Sequence, residues 1–165
     1  MSRKLAAMAL AAAFIPVGAS LAATGPSGWT RADLPNGQIV YTTSESGSGL
    51  AFGCTADGKL SAFVNLDGTD IVAKLTSGTP ATRSKPGKLT VDGGEADKTS
   101  WTYMPDLQIM SPKQQQIARR LYNAAITGDT VQLELRYMDD VSIAPPAIDS
   151  EFTAFSSSCK ETSGA

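Results

Sequence analysis

The chain has 165 residues, 14 of them basic and 16 acidic, with two cysteines, no histidine and a formal net charge of −2. The lack of histidine excludes Ser-His-Asp and Cys-His nucleophilic catalysis in their usual forms and removes the commonest metal ligand. The mild acidic balance speaks against nucleic acid and anionic lipid surfaces as partners, since both call for clustered Lys and Arg.

At the N-terminus, Arg3 and Lys4 precede an uncharged apolar run of 11 residues, 5–15 (LAAMALAAAFI), which Pro16 and Gly18 break. Ser20 and Ala22 place small side chains at the −3 and −1 positions of a cleavage site after Ala22, with Ala23 the alternative. This is the layout of a secretory signal peptide. The run is too short for a hydrocarbon core of about 30 Å, which needs roughly 20 residues. Residues 1–22 are therefore expected to be removed on export to the periplasm or beyond, with no membrane insertion afterwards. A single β-rich domain is expected over 23–160 and a frayed tail over 161–165. Without Arg3 and Lys4, 12 basic residues face 16 acidic ones, a net charge of −4.

Turn chemistry dominates the next stretch. Asn36-Gly37, Asp57-Gly58, Asp67-Gly68 and Asp92-Gly93 are Asx-Gly pairs of the kind that tight hairpins use, because both residues tolerate positive φ. Between them lie short apolar or β-branched runs at 38–43, 50–55, 59–66, 71–75 and 89–91. Leu50, Phe52 and Cys54 share one face by period-two alternation, as do Leu60, Ala62, Val64 and Leu66. An antiparallel meander is predicted. Residues 77–88 (SGTPATRSKPGK) read as a polar loop, whose Arg83, Lys85 and Lys88 are balanced by Asp92, Glu95 and Asp97. Strands resume at 99–103 and 107–110.

One helix is clearly marked over 112–127. Ser111 would be its N-cap, Pro112 its first residue and Gln114 the capping-box partner, with Ile117, Leu121 and Ala125 on one face and Gly128 as C-cap. Residues 130–137 (TVQLELRY) form the cleanest strand, with Val131, Leu133, Leu135 and Tyr137 pointing one way. Past Pro145 and Pro146, Asp149 or Ser150 can cap a short helix that brings Phe152, Phe155 and Cys159 to one face. A strand over 151–155 is the alternative, since Phe and Thr favour β structure.

Cys54 and Cys159 are predicted to form one disulfide, the default for two cysteines in an oxidising compartment. No cofactor is expected, and no metal, because both thiols are taken and histidine is absent. Ser157-x-x-Lys160 matches a serine–lysine pattern but lies in a serine-rich helix end. Asp67-Gly68-Thr69-Asp70 lacks the register of a calcium loop. Asp139-Asp140 is the only adjacent carboxylate pair and follows a strand where a polar turn belongs. Trp29, Tyr41, Trp101 and Tyr103 read first as core or rim. Any that is exposed becomes a candidate anchor for a partner.

Several features taken together resemble a loose group of small exported proteobacterial proteins of mostly unassigned role, including periplasmic accessory proteins found near type VI secretion systems. These features are Trp29, the Cys-bearing segment GLAFGC (49–54), Trp101, a capped helix before a long amphipathic strand, and the terminal Cys159. The resemblance implies an extracytoplasmic accessory role and brings no site residues with it.

The fold expected is mainly β, with seven to nine mostly antiparallel strands in a sandwich or curled sheet plus two helices. The function expected is non-enzymatic protein–protein contact, as an accessory factor or inhibitor, with Trp29, Trp101, Arg83, Lys85 and Lys88 as possible contact residues. The alternative is a hydrolase of envelope polymers that works through carboxylates, Asp139 or Asp140 among them.

Overall fold

The computed structural model describes residues 28–42 and 47–160. The expected leader at 1–22, its alternative cleavage points after Ala22 or Ala23, and the tail at 161–165 lie outside them. The strands are β1 (Thr30–Leu34), β2 (Gly37–Tyr41), β3 (Gly49–Thr55), β4 (Leu60–Asn65), β5 (Arg83–Val91), β6 (Asp97–Met104), β7 (Ile109–Pro112), β8 (Val131–Leu135) and β9 (Val141–Ile143). All nine join one antiparallel sheet in the order β1-β2-β3-β4-β7-β6-β5-β8-β9. The molecule is mainly β, built on a single sheet and not on two facing ones. The helices are α1 (Ile71–Thr76), α2 (Gln115–Thr127) and α3 (Ser150–Ser158).

Period-two alternation sorts the side chains onto two faces. Leu50, Phe52 and Cys54 of β3 and Leu60, Ala62 and Val64 of β4 point to the face that packs on α2 and α3. Ile117, Leu121, Tyr122 and Ala125 come down from α2, and Phe152 and Phe155 from α3. Trp29 lies 4.7 Å from Phe152 between ring centroids, and Tyr122 stacks on Phe152 at 5.4 Å. The opposite face buries a smaller set, Ile39, Ala51, Met104 and Ile109, beneath Ile71 of α1.

The Asx-Gly pairs behave in three different ways. Asp92 and Gly93 take φ of 49° and 68°, both positive as a type I′ hairpin requires, and the Gly94 N–H donates to Val91 O. Asp57-Gly58 also closes a hairpin. At Asn36-Gly37 the two-residue turn is Pro35-Asn36, and Gly37 already pairs with Leu34. Gly37 is there for space, since a Cβ on it would lie 2.0 Å from Cys54 O.

Asp67-Gly68 departs furthest, because the expected strand over 71–75 is α1. Asp70 caps it, its Oδ1 accepting from Val72 N at 2.9 Å and Ala73 N at 3.4 Å. A local cap together with burial of Ile71 outweighs the β preference of Ile and Val. The expected 77–88 loop is a second correction, since its latter half is β5. Pro86 is tolerated because β8 reaches only as far as Gly87, so β5 has one neighbour at the proline.

The main helix starts three residues later than its capping signal suggests. Ser111 and Pro112 belong to β7, and the Ser111 hydroxyl donates to Ala62 O at 3.0 Å. Gln114 stands at the N-cap without a side-chain cap bond, and Gly128 ends the helix at φ 78° as expected. Strand β8 stops at Leu135, so Tyr137 leaves the face it was expected to share with Val131 and Leu133. At the C-terminus the helix reading holds. Asp149 caps α3 by accepting from Glu151 N and Phe152 N, each at 3.0 Å. Cys159 follows directly, its sulfur at bonding distance from that of Cys54 on β3, and this staples α3 to the sheet.

Candidate functional site

On the face opposite α2 and α3, α1 covers one portion of the sheet. Over β5, β6 and β8 that face carries polar side chains and no helix of the described residues. The register shows how they line up. Lys88 of β5 stands opposite Lys98 of β6 on one side and opposite Glu134 of β8 on the other. Lys88 Nζ bonds Glu134 Oε2 at 2.7 Å. That bond, the Glu134 charge and the Asp140 charge hold the Lys88 ammonium above its ordinary value, against a smaller opposing effect of burial. Lys98 reaches no carboxylate among the described residues.

A groove of about 720 Å³ opens at this end of the sheet, lined on this face by Lys88, Lys98, Glu134 and Asp140 and reaching Thr99 and Gln114, the N-cap residue of α2, on the other. Its volume is in the range of small-ligand sites, roughly 300–1,000 Å³. Donors from the lysines and Arg136 and acceptors from Glu134 and Asp140 allow it to hold a charged or strongly polar group. Gly87 lines it through backbone. A Cβ there would lie 2.8 Å from Leu135 Cδ2 and 3.0 Å from Glu134 O, so only glycine lets β5 and β8 close up.

The β8–β9 turn rises beside the groove. Tyr137, at its tip, is 83% exposed with φ +62°. The Arg136 guanidinium lies 4.8 Å from the Tyr137 ring centroid and so links the tip to the groove wall. Tyr137 was missed as a surface residue because the alternation of residues 130–137 carries on through it. The signal that marks it is Asp139-Asp140, a polar turn that follows within two residues of Tyr137.

The predicted contact residues do not converge. Trp29 and Trp101 are core residues, 4% and 0% exposed. The Trp29 N–H donates to Asp149 Oδ2 at 2.9 Å, and its indole N–H to Pro146 O at 3.3 Å. Arg83, Lys85 and Lys88 lie on a strand, and strand parity puts the first two on the face opposite Lys88. Lys85 Nζ sits 5.7 Å from the centroid of the Tyr103 ring. The balancing of this segment by Asp92, Glu95 and Asp97 is also corrected. Lys88 pairs with Glu134, while Asp97 pairs with Arg120 of α2, whose guanidinium also donates to Glu95 O at 3.1 Å.

Of the two adjacent carboxylates, Asp140 lines the groove and Asp139 does not. The Asp67–Asp70 loop is organised around a tethered cation. The Lys74 ammonium contacts Asp67 Oδ1 and bonds Asn65 Oδ1 at 2.8 Å. Burial would raise the Asp67 carboxyl, but the Lys74 ammonium and the Thr69 N–H and hydroxyl outweigh it and hold the group below its usual value. A second cavity, about 380 Å³ and largely apolar, lies beside α1 and is lined by Leu34, Phe63 and Leu75 among others. Among the described residues no group of three or more Asp, Glu, Cys or His side chains is placed to hold a metal. No helix of theirs is long and apolar enough to cross a membrane.

Compared with family models, with curated proteins and with solved structures, the chain finds no match.

Proposed function

We propose that the mature chain is an exported, non-enzymatic module that acts by protein–protein contact in the cell envelope, through the part of its sheet that carries no helix. One observation carries this reading. In a chain with more acidic than basic residues, the β5–β6–β8 region holds Lys98 and Arg136 without carboxylate partners among the described residues, beside an open groove. Charges left uncompensated at a concave surface steer and select a charged partner more than they stabilise a fold. The leader read at residues 1–22 and the resemblance to small exported proteobacterial proteins supply the compartment.

The hydrolase alternative needs two converging carboxylates free to exchange protons. Glu134 and Asp140 do share the groove, but Glu134 is engaged by Lys88 at 2.7 Å. Cross-linking the purified mature protein in an envelope extract, followed by mass spectrometry, tests the contact reading. One stoichiometric partner is expected, and it should be retained by Glu134→Gln and Asp140→Asn. Recovery of uncross-linked monomer alone would count against it. So would turnover of an envelope polymer that either amide variant lowers by orders of magnitude.

A further inference from the structure

Three features of the β5–β6–β8 region work against the stability of the isolated molecule. First, Lys98 stands directly across from Lys88 on the neighbouring strand. Like charges at such positions repel; of the two carboxylates in the groove, Glu134 faces Lys88 from the far side and Asp140 forms no ion pair with Lys98. Reading across the sheet, the row runs Glu134, Lys88, Lys98 and then stops, because β6 is paired with β7 only over Trp101–Met104. No strand of the described residues pairs with β6 at Lys98 on that side, so the row has no fourth member there.

Second, Tyr137 holds an aromatic side chain in the left-handed region, where a bulky residue is an outlier, and leaves 83% of its surface in water. Turn chemistry would choose Gly or Asn there. Third, cations without a carboxylate gather in this region. Lys98, Lys113 and Arg136 reach none among the described residues, although the chain as a whole is acidic. A fold that breaks its local rules in one place does so where another requirement acts.

We infer that this groove receives an acidic segment of a partner protein, with a carboxylate seated on Lys98 in the charge row and the Tyr137 ring as an aromatic anchor at the rim. The inference rests on the contact reading above and names the face and the kind of partner. A carboxylate at that place extends the alternation from Glu134, Lys88 and Lys98 to a fourth, negative member. Arg136 is positioned to serve both halves of the site, since it lines the groove and stacks on Tyr137. Exposed Tyr and Arg are also the residue types that dominate binding energy at interfaces.

The test uses the mature protein and a fluorescent decapeptide of alternating Glu and Ala, with its Gln/Ala counterpart and a heparin oligosaccharide as comparison probes. Binding of the Glu peptide is expected at low salt, weakening as salt rises, with no binding of the Gln peptide. Amide shift changes on titration should centre on residues 86–88, 98–100 and 134–140. Lys98→Glu should abolish binding while raising the melting temperature, because it relieves the repulsion from Lys88. Tyr137→Gly should weaken binding about fivefold or more. Lys59→Ala, at the far end of the sheet, should leave it unchanged.

The proposal is overturned if the Glu peptide does not bind, if heparin binds and the peptide does not, or if Lys59→Ala weakens binding as much as Lys98→Glu. Should cross-linking still capture a stoichiometric partner with the Lys98→Glu, Tyr137→Gly double variant, the contact reading stands and this face falls.

Discussion

Tyr137 and Gly87 are opposite cases of one backbone rule. Tyr137 carries a large side chain where φ is +62°, and its ring recovers little by burial. The left-handed region costs an L-residue roughly 1–2 kcal/mol, while glycine gives back about 0.4–1 kcal/mol through the freedom it adds to the unfolded chain. Tyr137→Gly is therefore expected to be neutral to stabilising by up to about 1 kcal/mol, read as an unchanged or raised melting temperature. A clear loss of stability would mean that the Arg136–Tyr137 stack holds the turn. Gly87 is the reverse, a small residue kept by its neighbours, since a Cβ would come within 2.8 Å of Leu135 Cδ2 and 3.1 Å of Trp101 Nε1. Gly87→Ala should destabilise by about 1–3 kcal/mol, as overpacking does, measured by urea unfolding. A variant as stable as the parent would show that β5 and β8 separate easily.

Among the elements, α3 is held at both ends, and its N-terminal hold responds to pH. Burial alone would raise the Asp149 carboxyl, but the N–H groups of Phe152, Trp29 and Glu151 outweigh it and keep the group below its usual 3.8. The folded value is thus lower than the unfolded one. The stability this supplies is complete above the unfolded value and is lost as pH falls through the folded one. Asp149→Ala should cost about 1–2 kcal/mol at neutral pH as a lost N-cap. Asp149→Asn keeps an acceptor without a titrating charge, so the unfolding midpoint between pH 5 and 2 should depend less on pH than in the parent. Equal slopes would contradict the assignment. Helix α3 was legible in the sequence because the spacing of Phe152, Phe155 and Cys159 favoured a helix over the strand alternative, although Asp149 and Ser150 were equal candidates for its cap. The β3–β4 hairpin was legible because alternation and the Asp57-Gly58 turn agree. Where two signals disagreed, the louder one misled. Pro86 and Gly87 disguised β5, whose strand character comes from neighbours distant in sequence. Ile71 and Val72 suggested a strand, yet Asp70 caps a helix. Ser111-Pro112-x-Gln114 advertised a helix start that β7 takes for its own pairing. The groove was not legible at all, because its walls come from β5, β6 and β8 and only register brings Lys88, Lys98 and Glu134 side by side.

For the whole molecule, the decisive feature is that the first and last of the described residues converge on α3. Trp29 enters the core against Phe152 at one end, and Cys159 reaches Cys54 at the other, across 105 residues of chain. Helix α3 and the start of β1 thus close the aromatic cluster together, and a connection at either end restrains both. In the chain-entropy description a loop of that length contributes roughly 4–5 kcal/mol, against a total margin of about 5–15 kcal/mol for an ordinary domain. Reduction should therefore remove a large share of the stability. Cys54 and Cys159 are 4% and 0% exposed, so a reductant acts only on molecules that have already opened. The prediction is kinetic as well as thermodynamic. In native buffer the disulfide should resist millimolar dithiothreitol for far longer than in urea, and once reduced the protein should unfold at a much lower urea concentration. Asp149→Ala should hasten reduction, because loosening the N-terminal end of α3 exposes the sulfurs at its other end. If that variant is reduced no faster than the parent under native conditions, the two ends of α3 open independently and the helix does not act as one closure.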